Sequence, residues 1–189
     1  FTGLSTALHL AERGYKVVLL EGERVGWGAS GRNGGLVCTG QRQGPDELEE
    51  LLGHDKAKML WDIAEEAKVT QQDLIKKHNI PCDYRPGILM AAHKPRTFPD
   101  LVDYAESLTN KWGYKDIEVL EKSKMREQLR SDAYHGGIYD KGAGHLHPLN
   151  YALGLARAAK DAGVNIFENT KANSLDKTAS GQMVRCDKG

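Results

Sequence analysis

The sequence predicts an α/β fold with a parallel sheet, and three consecutive features predict it: an amphipathic helix, a strand of buried type ending on an acid, and a long glycine-rich loop. Residues 3–14 place apolar side chains at Leu4, Ala7, Leu8 and Ala11, the spacing of one helical face, and Gly14 is placed to end the helix. Residues 17–20 (VVLL) are β-branched and aliphatic throughout, as expected of a strand buried on both faces.

That run ends on Glu21. A carboxylate just past the carboxyl end of such a strand can accept hydrogen bonds from both hydroxyls of a ribose, its place in α/β dinucleotide folds. Residues 22–36 then hold six glycines. Gly26, Gly28, Gly31, Gly34 and Gly35 interleave with Ser30, Arg32 and Asn33, so backbone can approach a phosphate closely while a hydroxyl, a guanidinium and an amide remain nearby. Each feature alone also has a plainer reading, a buried strand or a surface connection. Their order favours an anion-cradling site.

In a βαβ nucleotide fold the last glycine of GxGxxG opens the helix, with an acid ~20 residues on. Gly3 and Glu21 fit those two places. The chain starts at Phe1, so the first strand and the first two glycines are expected upstream, and the chain is expected to be a fragment.

The succession of helix, VVLLE and GASGRNGG resembles the amino-terminal FAD-binding region of the D-amino-acid oxidase-like flavoproteins, the glycine oxidase and sarcosine oxidase superfamily. Within that group GWGASGRNGG is most similar to the gamma-glutamylputrescine oxidoreductase type. The resemblance covers most of the chain and only part of the family's full length. It implies a Rossmann-like FAD-binding domain lacking its first strand, with part of an inserted α+β substrate domain. The expected division is 1–45 (FAD-binding), 46–140 (helical region and partial substrate domain) and 141–189 (return to the FAD-binding domain).

The resemblance also assigns roles. FAD is the expected cofactor, with Glu21 on its ribose and Gly3 allowing close helix packing at the pyrophosphate. Ser30, Arg32, Asn33, Gly34 and Gly35 form the loop from phosphates to flavin, and Leu36 lies against the ring system. Ala172 lends its backbone to the adenine, at a position where the family more often carries valine. Arg32 reads equally well as a surface cation. The expected substrate is a small amine or amino acid, oxidised at its C–N bond by hydride transfer to the flavin, for which the protein supplies position and electrostatics. No nucleophile–base pair is identifiable, and the catalytic residues are not assigned.

Composition narrows the partners. Twenty-six basic residues balance twenty-six acidic ones, giving no electrostatic footprint for nucleic acid or an anionic membrane. No apolar run approaches the ~20 residues of a membrane span. Three scattered cysteines, Cys38, Cys82 and Cys186, lack metal-ligand spacing and point to a cytoplasmic protein.

Beyond the loop, Pro45, Asp46 and Glu47 suit a helix start, and a broken apolar stripe from Leu60 to Ile75 predicts one long helical region reaching Asn79. Trp61 belongs to its packing face. Residues 82–92 predict a turn and a strand, 98–112 a helix stopped by Gly113, and 117–120 a strand. Ser123 is expected to cap a further helix. Gly136 and Gly137 precede one short strand and Gly142 and Gly144 another, followed by a helix opened by Pro148 and a strand at 164–167. This succession predicts a parallel crossover unit. Residues 172–176 and 182–186 predict a hairpin about a turn containing Ser180.

His145 and His147 share a face if extended, but no further ligand follows at metal spacing. They read as a structural pair or, through the resemblance, as wall residues of an active cavity. Three functions stay open at this point: an FAD-dependent amine or amino-acid oxidoreductase, an NAD-linked dehydrogenase, and a non-catalytic fragment unable to hold flavin.

Overall fold

The computed structural model describes residues 1–179 and 181–187. The chain divides into two compact units, Phe1–Gly35 with Asp73–Asp83 and His147–Gly189, and Leu36–Gln72 with Tyr84–Leu146.

In the first unit, helix α1 (Thr2–Glu12) buries Leu4, Ala7 and Leu8, as its apolar spacing requires. Strand β1 (Val18–Leu20) pairs in parallel with β6 (Asn165–Phe167), Val18 opposite Asn165 and Leu20 opposite Phe167. The crossover expectation needs correction: β6 lies parallel to β1, not to the strand before its helix. The two-faced burial expected of β1 is also not found, since Val18 is 59% and Phe167 52% exposed. Leu19 points toward Gly3 of α1, whereas Val18, Leu20 and Phe167 share the opposite, open face.

Helix α6 (Pro148–Asp161) packs on α1, burying Tyr151, Ala152, Leu155, Ala156, Ala158 and Ala159. Burial pushes the Tyr151 hydroxyl up to about 12, with a smaller push from Cys82. Its ring meets Phe1 at 5.3 Å. Arg157 closes on the carbonyl of Asn79 at 3.1 Å, and Lys77 pairs with Glu12 at 2.8 Å. Strands β7 (Ala172–Thr178) and β8 (Gly181–Cys186) form the expected antiparallel hairpin; Ser180 of its turn lies outside the described residues.

The second unit is organised about β5 (Gly136–His145). Strand β3 (Arg85–Ala91) runs antiparallel along one edge; β2 (Leu36–Val37) and β4 (Ile117–Glu121) pair with different ends of the other. The two short strands expected here are one continuous strand. Its glycines mark close approaches, not breaks: a Cβ on Gly137 would lie 2.2 Å from the Met90 carbonyl oxygen, and one on Gly142 2.2 Å from the Tyr114 hydroxyl.

The single helical region expected from Pro45 is two helices, α2 (Pro45–Leu52) and α3 (His54–Lys77). Gly53 separates them with φ 84°, a conformation that cannot continue a helix. Helix α4 (Phe98–Asn110) follows β3, and α5 (Lys122–Leu129) follows β4 without a spacer. Ser123 is therefore inside the first turn of α5, and Glu121 holds the cap position without a side-chain bond. Trp61 packs with Leu48, Ala57, Leu108, Trp112 and Tyr114, the core its place on the stripe predicts.

A buried polar chain crosses this core. Lys68 donates to Thr39 Oγ1 at 2.8 Å, the hydroxyls of Thr39 and Tyr114 meet at 3.0 Å, and Tyr114 donates to Asp140 at 2.5 Å. Burial first, and then the bond to Asp140, push the Tyr114 hydroxyl strongly up, so it stays protonated and donates.

Candidate functional site

Glu21 sits where β1 ends. Its backbone N–H donates to Phe167 at 2.9 Å and its carbonyl accepts from Thr170 at 2.8 Å, so parallel pairing fixes its position. One carboxylate oxygen takes the Glu23 N–H at 2.9 Å, which aims the side chain along the loop. A cavity of about 220 Å³ opens beside it, lined also by Phe1, Gly3 and Leu4 of α1's first turn and by Trp27 and Ser30 of the loop. The first N–H groups of an α-helix have no partner within the helix and carry partial positive charge, so this cavity joins a carboxylate to an anion-attracting helix end.

The glycine loop is folded on itself. A Cβ on Gly31 would lie 1.9 Å from the Gly26 carbonyl oxygen, and one on Gly26 would lie 2.7 Å from Leu149. Only glycine permits this closure, which brings the 3-10 turn Ala29–Gly31 against α6. Ser30 Oγ accepts from the Phe1 nitrogen at 2.9 Å. Asn33 spends its amide within the loop, donating to the carbonyls of Ala29 and Ser30 at 2.9 and 3.0 Å and accepting from Gly35 at 2.8 Å. Arg32 lies 4.4 Å above the Trp27 ring. Gly34 is exposed, with open space where a Cβ would be.

Gly3, Glu21 and Ser30 are thus brought to one cavity, with Arg32, Asn33, Gly34 and Gly35 in the loop that bounds it. Ala172 opens β7 two residues after Thr170, whose N–H is held by Glu21. Leu36 belongs to the second unit, where it is exposed and pairs with His145. His147 caps α6, its Nδ1 accepting from the Asn150 N–H at 3.3 Å. Among the described residues no three His, Cys, Asp or Glu side chains group as a metal site. A larger groove of about 870 Å³ along α5 is lined by surface charges, among them Arg126 and Asp132 paired at 3.1 Å, and holds none of the cofactor-site residues expected from the sequence.

Comparison with known proteins decides the family. The sequence matches the DAO family, FAD dependent oxidoreductase, over residues 1–189. The chain belongs to that family. It is 45% identical over 170 residues to the probable oxidoreductase OrdL of Haemophilus influenzae, covering 90% of this chain and 39% of that protein. It is 39% identical over 189 residues to the gamma-glutamylputrescine oxidoreductase of Escherichia coli, covering 100% of this chain and 44% of that protein. This DAO-family chain therefore spans less than half the length of these relatives. Its fold is that of glycine oxidase from Geobacillus kaustophilus, with a TM-score of 0.80 at 21% identity over 99% of this chain and 49% of that one.

The α/β FAD-binding fold predicted from the sequence is the fold of this DAO-family chain, and FAD is the cofactor of its family. The residues present fit the adenosine and diphosphate end of FAD. A strand-end carboxylate offers acceptors to a diol and the first turn of α1 offers N–H donors, but the close packing expected of Gly3 is not found, since a Cβ there would meet nothing nearer than Leu19 at 3.9 Å.

Three contributors escape sequence reasoning. Glu168 accepts the Val25 N–H at 2.8 Å, and Asn169 donates its backbone N–H to the Glu23 carbonyl at 2.7 Å. Both pin the start of the glycine loop from the far end of the chain, with no local pattern to announce them. Trp27 lies within the loop itself, and its 55% exposure at a cavity wall is the signal that marks it.

Proposed function

We propose that this chain holds the adenosine and diphosphate arm of FAD in the cavity beside Glu21, within an enzyme that oxidises the C–N bond of a small amine or amino acid. The observation that carries the reading is that Glu21, Gly3 and Ser30, drawn from a strand tip, a helix start and a loop, line one cavity. Glu21 binds the ribose hydroxyls, and the first turn of α1, opened by Gly3, faces the pyrophosphate. Ser30 and Arg32 meet phosphate oxygens, while Asn33 keeps the loop closed and Gly34 and Gly35 carry the backbone toward the flavin. Leu36 lies against the ring system and the Ala172 backbone against the adenine.

Bound flavin supplies the acceptor for a hydride leaving the carbon of the C–N bond. The chain's own part is to bind and orient. The names of its relatives support gamma-glutamylputrescine or a similar small amine as substrate. The division into 1–45 and 141–189 for the cofactor and 46–140 for the substrate side belongs to this proposal; the two compact units support its outline, although residues 73–83 fall with the first unit and 36–45 and 141–146 with the second. The three scattered cysteines support a cytoplasmic location; among the described residues no helix is long and apolar enough to cross a membrane.

Purification of the full-length protein tests the reading. A yellow protein with flavin absorbance at about 450 nm, bleached on adding gamma-glutamylputrescine or another small amine without oxygen, is the expected result. A colourless protein that takes up no added FAD overturns it.

A further inference from the structure

We propose that Trp27 is a positioning residue for a dinucleotide diphosphate: its indole holds the Arg32 guanidinium, by stacking, beside the cavity that Glu21 lines. The inference rests on the FAD reading above and adds a residue that neither the glycine pattern nor the family resemblance singles out.

The charge balance of the cavity calls for a fixed cation. A diphosphate brings two negative charges to a site where the Glu21 carboxylate already stands, while a helix start offers the equivalent of only about half a positive charge. Arg32, on the ring of the cavity-lining Trp27, carries a full positive charge. Among the described residues it forms no ion pair, and its guanidinium carbon lies over the Trp27 ring, 4.4 Å from the centroid. A guanidinium held over an indole face by cation–π attraction spends none of its N–H donors on that contact, which leaves them available for phosphate oxygens.

The backbone holds both partners in register. Trp27 donates its N–H to Arg24 at 2.9 Å and Arg32 to Ala29 at 3.2 Å, while Gly31 closes on Gly26 between them. Trp27 contributes little to packing, being 55% exposed, yet it lines the cavity. An indole so placed does more as a platform than as core.

The test is titration of FAD into the apo form of the full-length protein, at low and high salt, for the wild type, Trp27→Ala, Trp27→Phe, Arg32→Gln and the Trp27→Ala/Arg32→Gln double variant. Loss of the stack is expected to weaken binding about fivefold in Trp27→Ala and no more than about twofold in Trp27→Phe. Arg32→Gln is expected to weaken it about tenfold and to flatten the salt dependence. The double variant is expected to match Arg32→Gln, because Trp27 acts through that side chain. Wild-type affinity in Trp27→Ala, or losses that multiply in the double variant, overturns the proposal while leaving FAD in place. A wild type that binds no FAD overturns the reading beneath it.

Discussion

The backbone N–H of Val25 donates to a carboxylate oxygen of Glu168 at 2.8 Å, joining positions 143 residues apart in sequence. The bond ties the entrance of the glycine loop to the strand end beside β1. A bond to a charged acceptor at an exposed site contributes about 1 kcal/mol. Glu168→Ala is therefore expected to speed amide exchange at Val25 about fivefold, a factor that follows from that energy. Exchange at Leu8, in the core of α1, is expected to stay unchanged. Hydrogen-exchange mass spectrometry of peptides covering both residues checks this.

Glu21 is the test of the cofactor site. Among the described residues its carboxylate takes one hydrogen bond, from the exposed Glu23 N–H, so removing it costs the fold little. Two bonds from ribose hydroxyls, each worth about 0.75–1.5 kcal/mol at an exposed acceptor, together account for about 1.5–3 kcal/mol. Glu21→Ala is expected to weaken FAD binding ten- to a hundredfold, as that range implies, with an unchanged melting temperature of the apo protein. Flavin fluorescence titration reads the first and circular dichroism the second.

Two glycines of the same loop are expected to behave oppositely. Alanine at Gly31 would place its Cβ 1.9 Å from a backbone oxygen of Gly26, whereas alanine at Gly34 meets open space. Gly31→Ala forces the loop open, abolishing FAD binding and destabilising the protein by about 2 kcal/mol or more. Gly34→Ala is expected to leave melting temperature and FAD affinity near wild type. A thermal melt and a titration of each variant decide it.

Asp46 at the start of α2 gives the second unit a pH dependence. Burial opposes its charge, but hydrogen bonds from Lys111, Ser107 and Trp112 outweigh that effect and hold its carboxyl below the ordinary 3.8. A folded-state value below the unfolded one stabilises the fold above the unfolded value, and the gain is lost as pH falls through the folded value. With the side chain 44% exposed, the contribution is about 1 kcal/mol or less. Wild-type melting temperature is expected to fall more steeply below pH 4 than that of Asp46→Asn. Parallel slopes in thermal melts at pH 3–6 would refute this.

Much of the candidate site was legible because it is local. The apolar spacing of α1, the run before Glu21 and the glycines after it each follow from geometry within a few residues, and Trp61 and Pro148 were placed by the same rules. Errors arose where a neighbour overrides the local signal. The glycines of β5 read as strand breaks, but Gly137 and Gly142 make room for Met90 and Tyr114. Ser123 read as a cap, yet β4 runs straight into α5.

By itself the sequence determined that an acid ends a strand, that a helix precedes it and that a loop able to fold tightly follows, since propensity and spacing act over one or two turns of chain. Only the tertiary structure decided that β6 pairs with β1, that Glu168 anchors Val25, and that Arg32 rests on Trp27. Those contacts depend on which distant segments share space, and burial and hydrogen bonding choose that for the whole chain at once.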